Sequence, residues 1–123
     1  MFLMKNDLEI KKYSKEDELK FHDLLNKFKA DENLTERLQS VQYEDLFSYE
    51  FLANNSDFSS LDDIIYRSGF GIMSSFEIVN VSEVKWDEYI SGHTGCEKWH
   101  DFGKLAMISW MEKVMQEEKD KNN

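Results

Sequence analysis

A chain of 123 residues, 41% hydrophobic and 33% charged, with nine phenylalanines, five tyrosines, three tryptophans and no proline, has room for one domain with one substantial core. The absence of proline favours helices, and the aromatic content excludes a disordered tail. A formal net charge of −10 excludes DNA or RNA as the main partner, because phosphate binding needs a basic footprint.

Residues 1–13 read as a weakly patterned arm in which Leu8 and Ile10 alternate. Met1-Phe2-Leu3-Met4 stands before Lys5, whereas a secretory signal places an apolar run of about 7–15 residues after positive charge. No stretch approaches the roughly 18 apolar residues of a bilayer span. A single cysteine, Cys96, cannot form an internal disulfide and fits a reducing cytoplasm.

Ser14 opens the first helix, with Glu16, Asp17 and Glu18 in the turn where the helix dipole favours acids. Phe21, Leu24, Leu25 and Phe28 give it one apolar face, so it is predicted from Lys15 to Lys29. Leu34, Leu38 and Val41 suggest a short second helix. Glu44 to Ala53 reads as a third. After the Asn54–Asp57 turn, Ser60 caps a fourth, with Asp63 at the acidic position of a capping-box-like pattern. Gly69 sits where a left-handed helix terminus is wanted. A short element surrounds Phe76, Ile78 and Val79. Ser82 caps a helix through Ile90, and Gly92 and Gly95 mark the next turn. The last helix is predicted from Glu97 to Glu118, leaving a tail over 119–123 that should fray. The fold class is therefore all-α: a small helical bundle over 14–118, an N-terminal helix plus two similar helix-turn-helix hairpins.

The similarity of the hairpins is a repeat. Shifted by 38 positions, 43–68 falls on 81–106. Phe51-Leu52 meets Tyr89-Ile90, Ser56 meets Thr94, Phe58 meets Cys96, Leu61 meets Trp99 and Asp63 meets Asp101. Two such hairpins can pack face to face and cover apolar faces that neither buries alone. Asp63 and Asp101 read as acids satisfying backbone amides at equivalent helix starts.

The aromatic helix, the polar turn and the run Asp101-Phe102-Gly103-Lys104-Leu105-Ala106 resemble the YozE-like family of small helical domains with a SAM-like architecture. The resemblance implies a helical fold and no defined activity.

His93, Cys96 and His100 are zinc-ligand types, with Cys96 and His100 at i, i+4 and His93 across a glycine-containing turn. A structural zinc site wants four ligands, and His22 is the only other histidine. The repeat places Cys96 in the slot of Phe58, which predicts a buried, apolar thiol. Cysteine catalysis lacks a specified orienting acid. Asp62-Asp63 belongs to no calcium loop, and the scattered glycines form no phosphate loop. A small metal-dependent enzyme using His93, Cys96 and His100 therefore remains an alternative, and no catalytic residue, metal or cofactor is assigned.

The charge is localised. Residues 31–66 hold Asp31, Glu32, Glu36, Glu44, Asp45, Glu50, Asp57, Asp62 and Asp63 against Arg37 alone. Such a folded acidic surface steers a basic protein partner, such as a nucleic-acid-binding enzyme. On the last helix, Trp99, Phe102, Ala106, Trp110 and Val114 make one stripe, and Met107, Met111 and Met115 make another. A methionine stripe suits either core or an adaptable binding face. The expected function is a cytoplasmic, non-enzymatic inhibitor of a basic partner, with no nucleic acid and no membrane contacted directly. Examples are an anti-defence protein of a phage or mobile element, or a toxin immunity protein. The alternative is a homodimeric adaptor using the last helix.

Overall fold

The computed structural model describes residues 12–121, so the expected arm lies outside the described residues except for Lys12 and Tyr13. The architecture is all-α. Among the described residues seven α-helices follow in order: α1 (Lys15–Lys29), α2 (Glu32–Gln39), α3 (Tyr43–Leu46), α4 (Tyr49–Asn55), α5 (Leu61–Arg67), α6 (Glu83–His93) and α7 (Trp99–Lys121), with a 3-10 turn at Ser75–Asn80.

Local chemistry accounts for most boundaries. Ser14 Oγ accepts from the Asp17 amide at 3.2 Å, and the Asp17 carboxylate accepts from the Ser14 amide at 2.9 Å. This capping box starts α1. Asp31 accepts from the Leu34 amide at 3.0 Å to start α2, and Thr35 Oγ1 donates to the Phe28 carbonyl at 2.8 Å, folding α2 back on α1. Gly69 adopts φ 72°, the left-handed conformation expected of it.

Three predicted helices are corrected. The third helix is divided at Phe47, whose φ −96°, ψ 55° ends α3, while Ser48 accepts from the Phe51 amide and starts α4. The division lets the buried Phe47 ring stack on Trp99 at 4.8 Å and on Phe102 at 5.6 Å. Gly92 is helical, because α6 continues to His93. The last helix starts two residues late, since Asp87 of α6 accepts from the Trp99 amide at 2.9 Å, and it continues through the 119–121 stretch expected to fray. Gln116 donates to Asp120 at 3.1 Å across that final turn.

α7 organises the bundle. Phe102, Leu105 and Ala106 pack with Phe51, Leu52, Ile64, Trp86 and Ile90 of the hairpins. Ile108, Met111 and Val114, farther along the same helix, pack with Leu24, Phe28 and Leu34 of α1 and α2. Complete burial of side chains such as Phe28, Phe102 and Leu52 stabilises by about 1.5–3 kcal/mol each.

The two hairpins match in register. α4 ends at Asn55 and α6 at His93; α5 begins at Leu61 and α7 at Trp99. Ser56 and Thr94, at equivalent positions, form an antiparallel bridge with each other. Antiparallel pairing of equivalent residues places a local two-fold axis between them. Ser56 Oγ donates to the Leu52 carbonyl at 2.8 Å and accepts from the Phe58 amide at 3.1 Å. Thr94 Oγ1 donates to the Ile90 carbonyl at 3.0 Å and accepts from the Cys96 amide at 3.0 Å. Each hydroxyl thus closes one helix and satisfies the amide that begins the turn. Phe58 and Cys96 are both buried, as equivalent slots require. The helix starts differ. Asp63 accepts from the Ser59 amide, whereas at α7 the amide-capping acid is Asp87 and not Asp101.

Two outcomes test this architecture. Thr94→Val keeps the shape but removes the buried hydroxyl that accepts from the Cys96 amide and donates to the Ile90 carbonyl, so urea unfolding should show a loss of about 1–3 kcal/mol. The second concerns Glu18, which joins α1 to Lys104 of α7 at 2.9 Å. Hydrogen bonds from the Tyr13 hydroxyl and then from Lys104 hold its carboxyl at about 2, below the ordinary 4.5. Its contribution is complete above the ordinary value and is lost as pH falls towards the lowered one. Thermal unfolding of Glu18→Gln should therefore show a lower Tm than wild type at neutral pH, with the gap closing as pH falls from 4.5 towards 2.

Candidate functional site

The acidic segment does not form one continuous face. Asp31 caps α2, and the Asp45 carboxylate accepts from the Gln42 amide at 2.9 Å. Asp57 and Asp63 belong to the hairpin seam. Asp57 meets His93 Nδ1 at 2.9 Å and Arg67 at 3.5 Å, while Asp63 meets Arg67 at 3.1 Å. Burial pushes the Asp63 carboxyl up, but hydrogen bonds from Ser59 and Arg67 outweigh it and hold the group below its ordinary range. Arg67 also lies 5.3 Å above the Phe58 ring. These four acids are committed to structure.

The other five behave differently. Among the described residues, Glu32, Glu36, Glu44, Glu50 and Asp62 are exposed and make no side-chain ion pair. Glu32 and Glu36 lie on α2. Glu44, Glu50 and Asp62 instead gather around Ser48, where three shallow grooves adjoin. One of them, about 250 Å³, is lined by Glu44, Tyr49 and Asp62, and Tyr49 is 75% exposed. The division of the third helix makes this arrangement, because Glu44 and Glu50 lie on separate helices either side of Ser48. Lys113 is the cation on its α7 side, with Arg37 held by Glu117 and Glu118.

A second feature was not legible beforehand. Two grooves of about 470 and 480 Å³ share Tyr43, Trp99 and His100. Trp86 lines the first, and its buried Nε1 has no hydrogen-bond partner. Val79, 85% exposed, lines the same groove, and Phe76, 81% exposed, shares the face of Val79 at i, i+3 on the 3-10 turn, forming an apolar ridge; Met73 and Val84 are exposed too. The apolar clustering of this segment was visible in the sequence, but its exposure was not. Of Phe76, Ile78 and Val79 in the short element, Ile78 alone turns into the core.

The other candidates are displaced. His93 is held by Asp57, Cys96 is buried in the hairpin core, and His100 lines the aromatic groove. Among the described residues no three His, Cys, Asp or Glu side chains gather as a metal site, so the zinc-type spacing is separated by folding. Met111 is fully buried against α1 and α2, and Met115 packs half-buried on the same cluster, which removes the methionine stripe as a continuous partner face. Met107, half-buried, lines the groove beside Trp99. Among the described residues, no helix is long and apolar enough to cross a membrane. No family model, curated protein or solved structure matches the chain.

The role of Met111 has a direct check. Met111→Ala leaves a cavity between α1, α2 and α7, so denaturant unfolding should report a loss of about 2–5 kcal/mol. A partner-facing methionine would be neutral in that assay.

Proposed function

We propose that the protein is a non-enzymatic binding protein that docks a basic, nucleic-acid-binding protein on the acidic surface around Tyr49 and keeps that partner from its nucleic acid. The observation that carries this reading is the grouping of Glu44, Glu50 and Asp62 about an exposed tyrosine. Uncommitted carboxylates steer a cationic surface and raise its association rate. A tyrosine supplies an anchor that is apolar over its ring and polar at its tip. An anti-defence protein of a phage or mobile element, or a toxin immunity protein, has this task. The cytoplasm suits it, because a lone cysteine such as Cys96 stays reduced there.

The test is affinity capture from host extract with wild type and with the combined Glu44→Gln, Glu50→Gln, Asp62→Asn variant, followed by a nucleic-acid competition assay on whatever is retained. The expected result is a basic protein, released by salt, lost from the variant and prevented by wild type from binding nucleic acid. Unchanged circular dichroism shows that the variant is folded. Identical capture by both proteins would sink the proposal.

A further inference from the structure

We propose that the Trp86–Trp99 groove is a self-association surface, on which a second copy of this chain docks about a two-fold axis and sets its Phe76–Val79 ridge. Three observations carry this assignment. First, ridge and groove adjoin. Val79 is 85% exposed and also lines the groove, so one copy offers both the protruding and the receiving part. A two-fold contact needs both on the same patch, because residue i of each copy meets residue j of the other.

Second, the charge on this patch is mixed, unlike the Glu44, Glu50 and Asp62 group. The first groove is lined by Glu83, Asp87 and Lys98, and the second by Lys104 in its ion pair with Glu18, on a chain of net charge −10. A second, equally acidic copy avoids on this patch the repulsion it would meet around Tyr49, and a strongly basic partner gains nothing here.

Third, the charges are arranged to pair between copies. Glu83 opens α6 and Lys98 immediately precedes α7; both are exposed on the groove. Among the described residues neither makes an ion pair within the chain. Under a two-fold axis, Glu83 of each copy faces Lys98 of the other, and the apolar ridge is buried between the two pairs.

The experiment is sedimentation equilibrium on the full chain. Wild type should show a concentration-dependent dimer. Val79→Asp, at a position too exposed to endanger the fold, should raise the dimer dissociation constant by about tenfold or more. Glu83→Lys and Lys98→Glu should each weaken the dimer alone, since each creates two like-charge contacts. An equimolar mixture of those two variants should restore association, because the mixed pair regains both attractions. A wild type that stays monomeric to about 1 mM overturns the proposal. So does a dimer indifferent to Val79→Asp, or a mixture that associates no better than its components. None of these positions belongs to the Glu44, Glu50 and Asp62 group, so the result stands apart from the fate of the inhibitor reading.

Discussion

The fold depends on one helix serving two cores. α7 spans 23 residues, about 35 Å at helical rise, which is enough to cross the whole bundle. Its first half faces the hairpins through Phe102, Leu105 and Ala106, and its second half faces α1 and α2 through Ile108, Met111 and Val114. A helix apolar around so much of its circumference must be covered on several sides. The chain covers it with its own N-terminal helices, and this is why the methionine stripe is largely unavailable to a partner. The ion pair from Glu18 to Lys104 and the pairs from Arg37 to Glu117 and Glu118 hold α1 and α2 against it at either end.

The hairpin seam is built on equivalent positions whose surroundings differ. Ser56 and Thr94 keep the same two hydrogen bonds, because the small hydroxyl is what both closes a helix and begins a turn in so little space. Around them the halves differ. Phe58 fills more of its slot than Cys96. The first half presents Asp57, Asp63 and Arg67, and the second contributes His93 to the same cluster. Asp57 is thus bound to the other hairpin through its side chain to His93 Nδ1 and through its amide to the His93 carbonyl at 3.1 Å. Acids that look like surface charge in the sequence are here part of the joint.

That commitment reshapes the functional surface. Charge that is contiguous along the chain is dispersed by folding into helix caps, a seam and a smaller group around Tyr49. The aromatic groove adjoins that group, sharing Leu46 and Phe47 with the acidic grooves, but is lined mainly by apolar and aromatic side chains. The molecule therefore carries two chemically distinct patches, one rich in carboxylates and one apolar and aromatic.

Helix positions were largely legible because they rest on short-range chemistry. Capping residues such as Ser14, Ser60 and Ser82, apolar spacing of three and four, and the left-handed Gly69 act within a few residues of themselves. The burial of Cys96 in the slot of Phe58 followed from the repeat, which made Ser56 and Thr94 equivalent but did not state that they pair. The rest was decided by residues far apart in the chain. The break at Phe47 exists because its ring stacks on Trp99 and Phe102, and the start of α7 because Asp87 reaches across from α6. The exposure of Phe76 and Val79 depends on which neighbours pack over the 3-10 turn, and hydrophobicity alone does not state that. Composition and local pattern thus determined that this chain is helical, acidic and built on two like hairpins. Only tertiary packing decided which carboxylates, methionines and aromatics remain at the surface, because exposure is a property of what lies across from a residue and not of the residue itself.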